Sequence, residues 1–267
     1  MLTDRQQREI EFHAERAREN AALLEQPFSY EVLDRPSRRW WNAYWRMYEL
    51  LVGLNLQGKR VLIVGCGFGE DALRLAKLGA RVSAFDLSPD SITIARQLAG
   101  REGLEIDFEV MAAERLEYPA GSFDCVLARD ILHHVDLPVA LAEVLRVSKP
   151  GAWIVANEVY SHSSAESIRR SKLVVKVLYP AMKTFVYGKN NDPYITPDER
   201  KLLQHDIRLI KSRLAKIEFQ TYFNFVATRV LPGRVKLFAQ IDRLLLKLLR
   251  PLAPLLGGRC LLAGRAP

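Results

Sequence analysis

The sequence is poor in cysteine. Cys66, Cys125 and Cys260 are its 3 cysteines in 267 residues, and none stands in a C-x-x-C pair. That spacing argues against a disulfide framework or a zinc site and fits a reducing compartment. Long apolar runs are lacking too. No stretch approaches the roughly 18 consecutive apolar residues of a membrane-spanning helix. The opening residues, Met1 to Glu9, mix both charges with Gln. They lack the apolar centre of a signal peptide, so a cytoplasmic location is expected. No internal repeat or low-complexity segment is visible. What is present is ordinary for a folded chain: 49% hydrophobic, 9% aromatic and 26% charged residues. Those values exclude a disordered chain, a collagen and a coiled coil. The length suits one large α/β domain with an insertion or a small lobe.

Negative charge is scarce in the second half. Residues 159–267 hold 20 Lys+Arg against 7 Asp+Glu, whereas residues 1–158 hold 19 against 24; the whole chain is +8. A basic half attracts anionic partners such as phosphate groups, nucleic acid or acidic lipid, or is simply solvated. No nucleic-acid module is present, so nucleic acid is not expected.

Four segments are expected: an N-terminal helical cap over 1–57, a core over 58–158, a helical insert over 159–214, and the last strands with an amphipathic helix over 215–267. Residues 1–25 read as a charged amphipathic helix. Trp41, Tyr44, Trp45 and Tyr48 follow at helical spacing and form either a helix packed on the core or a flap over a pocket. From Lys59, short apolar runs alternate with helical patterns. Strands are predicted at 60–64, 81–85, 106–110, 123–128 and 153–157, with helices between them. This alternation predicts an α/β fold, a parallel sheet with helices on both faces. The alternation stops after Glu158. Residues 161–214, with a polar, Pro-rich middle around 188–197, are too long for a plain connection and suit a lid. Residues 217–226 suggest a sixth strand, and 260–263 a last edge strand.

Gly65-Cys66-Gly67-Phe68-Gly69 joins the first strand to a helix. Such a loop lets backbone approach a ligand at the carboxyl edge of the sheet. A dinucleotide fingerprint wants Gly where this chain has Glu70. Glu70 and Asp71 also place two carboxylates at a helix N-terminus that would otherwise attract a pyrophosphate. Both features argue against a nicotinamide oxidoreductase and favour a ligand with a cationic end. Asp86 closes the second strand, 21 residues after Gly65. Its carboxylate can accept hydrogen bonds from both hydroxyls of a ribose; the N-cap of the next helix falls better on Ser88.

Four motifs together carry a resemblance: Val61 to Gly69; Ala84-Phe85-Asp86-Leu87-Ser88; Gly121 to Val126 followed by Leu132-His133-His134-Val135; and Leu145 to Ala152. In this order and spacing, residues 58–158 resemble the class I S-adenosylmethionine-dependent methyltransferases. The resemblance implies a Rossmann-like, seven-stranded, mostly parallel sheet whose last strand is antiparallel, here with a helical insert between strands 5 and 6. It implies S-adenosylmethionine as cofactor, held by Gly65, Cys66, Gly67 and Gly69 at the methionine part, by Asp86 at the ribose and by Leu87 at the adenine. Arg129 stands beside it. Where the family usually carries an acid for the adenine amino group, this chain has Ala112. Adenine contact is then left to the backbone near Ala112 and Ala113, or to Glu114.

Chemistry is expected just past the fourth strand, at Arg129, Asp130, His133 and His134. Methyl transfer is an in-line displacement that needs alignment and exclusion of water. A hydroxyl acceptor also benefits from a base that titrates near neutrality, and His133 fits, although a structural histidine fits as well. His134 matches a position where the family often has a structural histidine. No metal site is expected. His13 lies in a segment that folds over the cofactor in relatives, or is a surface residue. Tyr30, Arg35, Trp41 and Tyr44 are candidates for an acceptor pocket. The implied function is methyl transfer to a small-molecule acceptor, oxygen favoured, of glycan, lipid-linked or secondary-metabolite type. A non-catalytic sensor or scaffold on the same fold is the alternative.

Lys236, Arg243, Lys247 and Arg250 fall on one side of the helix after Pro232, and Leu237, Ile241, Leu244, Leu245 and Leu248 on the other. Such a helix, taken as 232–250, can lie on an anionic membrane at the inner surface, pack on the sheet, or meet a second copy of the chain in a homodimer.

Overall fold

The computed structural model describes residues 3–19, 24–34, 39–180, 185–186, 200–226, 231–232 and 235–267. The elements run α1 (Asp4–Glu19), α2 (Ala43–Gly53), β1 (Arg60–Val64), α3 (Glu70–Lys77), β2 (Arg81–Asp86), α4 (Pro89–Arg101), β3 (Asp107–Val110), β4 (Phe123–Arg129), α5 (Leu137–Val147), β5 (Ser148–Val159), α6 (Ser163–Arg169), a π-helical turn (Val174–Leu178), α7 (Gln204–Arg213), β6 (Lys216–Phe223), α8 (Lys236–Leu248), α9 (Ala253–Leu256) and β7 (Arg259–Arg265). The seven strands form one sheet in the order β3-β2-β1-β4-β5-β7-β6. Strands β1 to β5 pair in parallel, and β7 is antiparallel to both β5 and β6.

Strand β1 shows why the sheet is buried on both faces. Successive side chains of a strand point to opposite faces. Val61 and Ile63 join Met47, Tyr48, Ala72, Leu73 and Ile92 from α2, α3 and α4. Leu62 and Val64 join Leu141, Val144 and Ile207 from α5 and α7. A strand covered on both faces must be apolar without alternation, as Val61 to Val64 is. Helix boundaries follow their caps. Asn42 accepts from the amides of Tyr44 and Trp45, and Ser88 and Asp136 accept from Ser91 and Val139.

Several expectations are corrected here. Residues 260–263 are not an edge strand. Strand β7 lies between β5 and β6, and β3 and β6 are the edges. A run as apolar as Cys260 to Ala263 needs cover on both flanks, and all four residues are buried. Lys149-Pro150-Gly151 does not merely close a helix. It lies inside β5, whose pairing with β4 shifts register between Phe123 and Cys125. Trp41 precedes the cap of α2, so its helical alignment with Tyr44 fails. Within the insert, 181–184 and 187–199, and so all of 188–197, lie outside the described residues, as does Arg35.

Candidate active site

Parallel strands bring their carboxyl ends, and the loops after them, to one edge of the sheet. Loop 65–69 follows β1, Asp86 ends β2, residues 111–113 follow β3, Arg129 ends β4, and Asn157 and Glu158 lie near the end of β5. Strand β7 runs the other way, so its first residue, Arg259, reaches the same edge.

Within the glycine loop, Gly65 has φ +64° and Gly67 has φ +53°. A Cβ on Gly65 would lie 2.5 Å from Cγ1 of Ile131, whereas one on Gly67 would meet nothing within 4 Å. Gly65 is therefore required by packing, and Gly67 borders open space. Gly69 caps α3. Asp86, 7% exposed, accepts the Gly67 amide on Oδ2 (2.8 Å) and the Ser88 amide on Oδ1 (3.0 Å). Each oxygen keeps a lone pair for a further donor. The Met111 amide donates to the Asp86 carbonyl at 3.2 Å, which sets half-buried Ala112 and buried Ala113 beside Asp86 and Leu87. Burial, then Asp86, holds the Cys66 thiol well above its usual range, so it stays neutral.

Glu114 is already engaged. It accepts the Asp136 amide (3.0 Å) and Nε2 of Gln6 (3.4 Å), tying α1 to the start of α5. Helix α1 is also tied to the edge through Glu9, whose Oε1 lies 3.2 Å from Nδ1 of His134 and whose Oε2 lies 3.8 Å from Nε2 of His13. His13 is thus partly covered and lies beside Glu9 rather than on a bare surface.

Past β4 the charges form a chain. Arg129 Nε donates to Asp71 Oδ2 at 2.5 Å, and the Tyr48 hydroxyl donates to Asp71 Oδ1 at 2.5 Å. The Arg129 guanidinium also lies 5.3 Å from the Tyr44 ring centre. Burial opposes the Arg129 charge, but Asp71 and Asp130 outweigh it and raise the pKa. Asp71 is consequently not available to a cationic ligand, as the sequence suggests it to be. Glu70, half in solvent, remains at this helix end, 4.0 Å from Arg129.

Asp130 sits at φ +56°, a conformation Asp tolerates better than most residues. Arg259 donates to its Oδ1 at 2.7 Å and to Asn157 Oδ1 at 3.0 Å. Burial works to raise the Asp130 pKa, but Arg259 and Arg129 prevail and lower it. An acid held below the usual carboxylate range is a poor base near neutrality.

His133 is 3% exposed and its Nδ1 lies 2.7 Å from Oε2 of Glu158. The other Glu158 oxygen accepts the amides of Ile131 (3.0 Å) and Leu132 (2.9 Å). Asp130, His133 and Glu158 place three ligand-type atoms within 4.8 Å of one another. Arg259 and the two amides already compensate both carboxylates, so this donor set suits a hydrogen-bonded network better than a cation. Glu158, Asn157 and Arg259 were not among the sequence candidates. Glu158 carried a signal, a charge directly after an apolar strand at its carboxyl end. Arg259 carried none, since its role depends on a strand entering the sheet backwards.

The expected acceptor residues divide. Tyr44 is at the site, bonded to Arg74 and beneath Arg129. Trp41 lies under Lys236 of α8 at 5.5 Å. Tyr30 is held by Glu102 at the far end of α4 from Asp86, with burial and then Glu102 pushing its pKa up to about 12. Glu102 ties it there, so it does not join the others. A hollow lined by Arg60, Arg81, Arg96 and Asp107 opens at the opposite, amino edge of the sheet, away from all these residues.

This sheet order, the reversed strand and the open loop at Gly67 beside a buried Asp86 define an α/β domain built to hold a nucleoside. Residues 62–156 match the family described as a methyltransferase domain. A ubiquinone biosynthesis O-methyltransferase of Nitrosococcus oceani is 42% identical over 102 residues, 38% of this chain and 43% of the relative. One of Paraburkholderia xenovorans is 35% identical over 141 residues, 48% and 61%. The chain thus spans about half the length of the curated relatives it matches. Among solved structures, the geranyl diphosphate C-methyltransferase of Streptomyces coelicolor, in complex with Mg2+, geranyl diphosphate and S-adenosyl-L-homocysteine, has a TM-score of 0.55 at 14% identity, covering 91% of each chain, a likeness of fold. Residues 62–156 thus carry a methyltransferase domain, with S-adenosylmethionine as its cofactor. The residues present fit that cofactor: Gly67 leaves room where a side chain would intrude, and Asp86 beside it offers two oxygens to further hydrogen-bond donors.

Proposed function

We propose that this chain methylates a hydroxyl of a small-molecule acceptor that enters at the carboxyl edge of the sheet. Gly65, Cys66, Gly67 and Gly69 would hold the methionine part of the cofactor, Asp86 the ribose, and Leu87, Ala112 and Ala113 the adenine. S-adenosylmethionine, when bound, supplies a sulfonium methyl group. The observation that carries the reading is the His133–Glu158 pair. Glu158 is fixed by two amides, so it fixes His133 in turn. A carboxylate at Nδ1 keeps the proton there and makes Nε2 the basic nitrogen. Nε2 of His133 then takes the hydroxyl proton of the acceptor, and Glu158 stabilises the imidazolium. Arg129, Asp130 and Tyr44 hold the walls. Residues 159–214 would shape the acceptor end, and the O-methyltransferase relatives favour oxygen as the methylated atom.

A lipid-linked or otherwise anionic acceptor suits the basic half of the chain. So does a cytoplasmic enzyme with a peripheral contact to the inner membrane surface through 232–250, or a homodimer through the same helix. No helix among the described residues is long and apolar enough to cross a membrane.

The test is turnover with labelled S-adenosylmethionine and a panel of phenolic and lipid-linked hydroxyl acceptors. His133→Ala should slow turnover by about 10²–10⁴-fold while cofactor affinity stays within a few-fold. A loss under about fivefold would return His133 to a structural role. Absence of turnover with every acceptor, despite cofactor binding, would favour the sensor or scaffold alternative.

A further inference from the structure

Helix α8 is oriented in a way its sequence did not indicate. Arg243 does not face water. It donates to Thr221 Oγ1 (2.9 Å) and the Tyr222 carbonyl (3.3 Å), with its guanidinium 4.6 Å from the Phe223 ring centre. Burial, then the nearby Arg46, lowers its pKa. Asp242, 4% exposed, accepts the amides of Phe225 and Val226. Leu246 is buried behind them. The inward side is therefore polar in part, and the outward side is apolar. Leu237, Ile241, Leu244 and Leu248 recur at i, i+4, i+7 and i+11, and are 59%, 46%, 49% and 70% exposed. Lys247 and Arg250 flank this stripe and are exposed.

A second stretch has the same character. Leu173, just before the π-helical turn, and Val177, within it, are 62% and 57% exposed, and each is preceded by an exposed lysine, Lys172 and Lys176. The two stretches are joined through α9, which contacts both α6 and α8. Residues 163–180 and 235–256 each contain four basic residues and one acid. Both acids, Glu166 and Asp242, are buried. The outward surface of this belt thus combines large apolar side chains with cationic ones and offers no acid. The belt also adjoins the site edge, because the Tyr160 hydroxyl, just past β5, donates to the Pro254 carbonyl in α9 at 2.7 Å.

We infer that α8, α9 and the 163–180 stretch form one docking surface for an anionic phospholipid bilayer, lying flat on it. Helix α8 has 13 residues, about 20 Å, which is too short to span a bilayer of about 30 Å and sufficient to lie at its surface. Buried leucines give the depth and the basic residues give the preference for anionic lipid. A protein interface would instead be depleted in lysine at its centre. The inference deepens the proposed function, because a lipid-borne acceptor would reach the site edge without leaving the membrane. It is measured without methyl transfer.

The experiment is flotation of the full chain with vesicles of phosphatidylcholine alone and of phosphatidylcholine with phosphatidylglycerol, at low and high salt, beside calorimetry with S-adenosylhomocysteine. Wild type should float with the anionic vesicles and release as salt rises. Leu244→Glu/Leu248→Glu and Lys172→Glu/Lys176→Glu should each weaken partition at least tenfold, since one basic residue near such a surface is worth roughly fivefold. Both should bind S-adenosylhomocysteine as wild type does, which separates this result from failure of the enzymatic reading. No flotation, equal flotation with neutral vesicles, or loss only in the α8 variant would overturn the two-element surface. So would sedimentation showing a dimer that the leucine variant dissolves while vesicles are ignored.

Discussion

Two glycines two positions apart have different reasons to be glycine. The G-x-G-x-G pattern marked both Gly65 and Gly67 for backbone approach, without distinguishing them. Space distinguishes them. At Gly65 an added Cβ would strike Cγ1, Cδ1 and Cβ of Ile131, all within 2.9 Å, so rotating Ile131 gives no relief. At Gly67 only the backbone conformation resists a side chain. Gly65→Ala should therefore lower the unfolding free energy by about 1–3 kcal/mol, from overpacking and strain together, and by clearly more than Gly67→Ala, which carries strain alone. Urea denaturation of both variants measures this, and equal losses would contradict it. Asp86 was legible for a similar reason: its place at a strand end follows from chain order. Arg259 was not, because its partner Asp130 is 129 residues away and no local pattern records that contact.

Among the elements, β1, β2 and β4 were readable because each is a largely apolar run between turn signals, covered on both faces, whereas the edge strand β3 buries only Phe108. Strand β7 was readable as a strand and misplaced at an edge, since apolar runs identify burial and not neighbours. Helix α8 was readable as amphipathic, but its inward side was not readable. Periodicity gives two faces, and only the partners on β6 decide which one turns in. Helix α6 carries a pH signature. Burial works against the Glu166 charge, but hydrogen bonds from Arg169 and Arg170 prevail and hold its pKa at about 2 against an ordinary 4.5. A depressed carboxylate stabilises the fold above its unfolded pKa, and that contribution disappears as pH falls from about 4.5 to about 2. Glu166→Gln should then melt below wild type near neutrality and converge on it as pH approaches 2. A constant gap in melting temperature across that window would remove the ion pairs as its cause.

On the scale of the whole molecule, the acidic first part and the basic second part meet along one edge of the sheet. The first part supplies the glycine loop, Asp86 and the His133 segment. The second supplies Arg259, which compensates Asp130 from across the sheet, and the apolar and cationic belt. Net charge by segment was visible in the sequence, but the face that carries it depends on the reversed strand and on α8 resting on β6. This edge is proposed to bind S-adenosylmethionine through Asp86. Calorimetric titration of S-adenosylhomocysteine into wild type and Asp86→Asn tests it most directly. Asparagine keeps one carbonyl oxygen for the local amides and loses the charge that a ribose hydroxyl would meet. A hydrogen bond to a charged group contributes about 1.5–3 kcal/mol, so wild type should bind stoichiometrically and the folded variant with affinity lower by about tenfold or more. No binding by wild type, or equal binding by the two proteins, would contradict it.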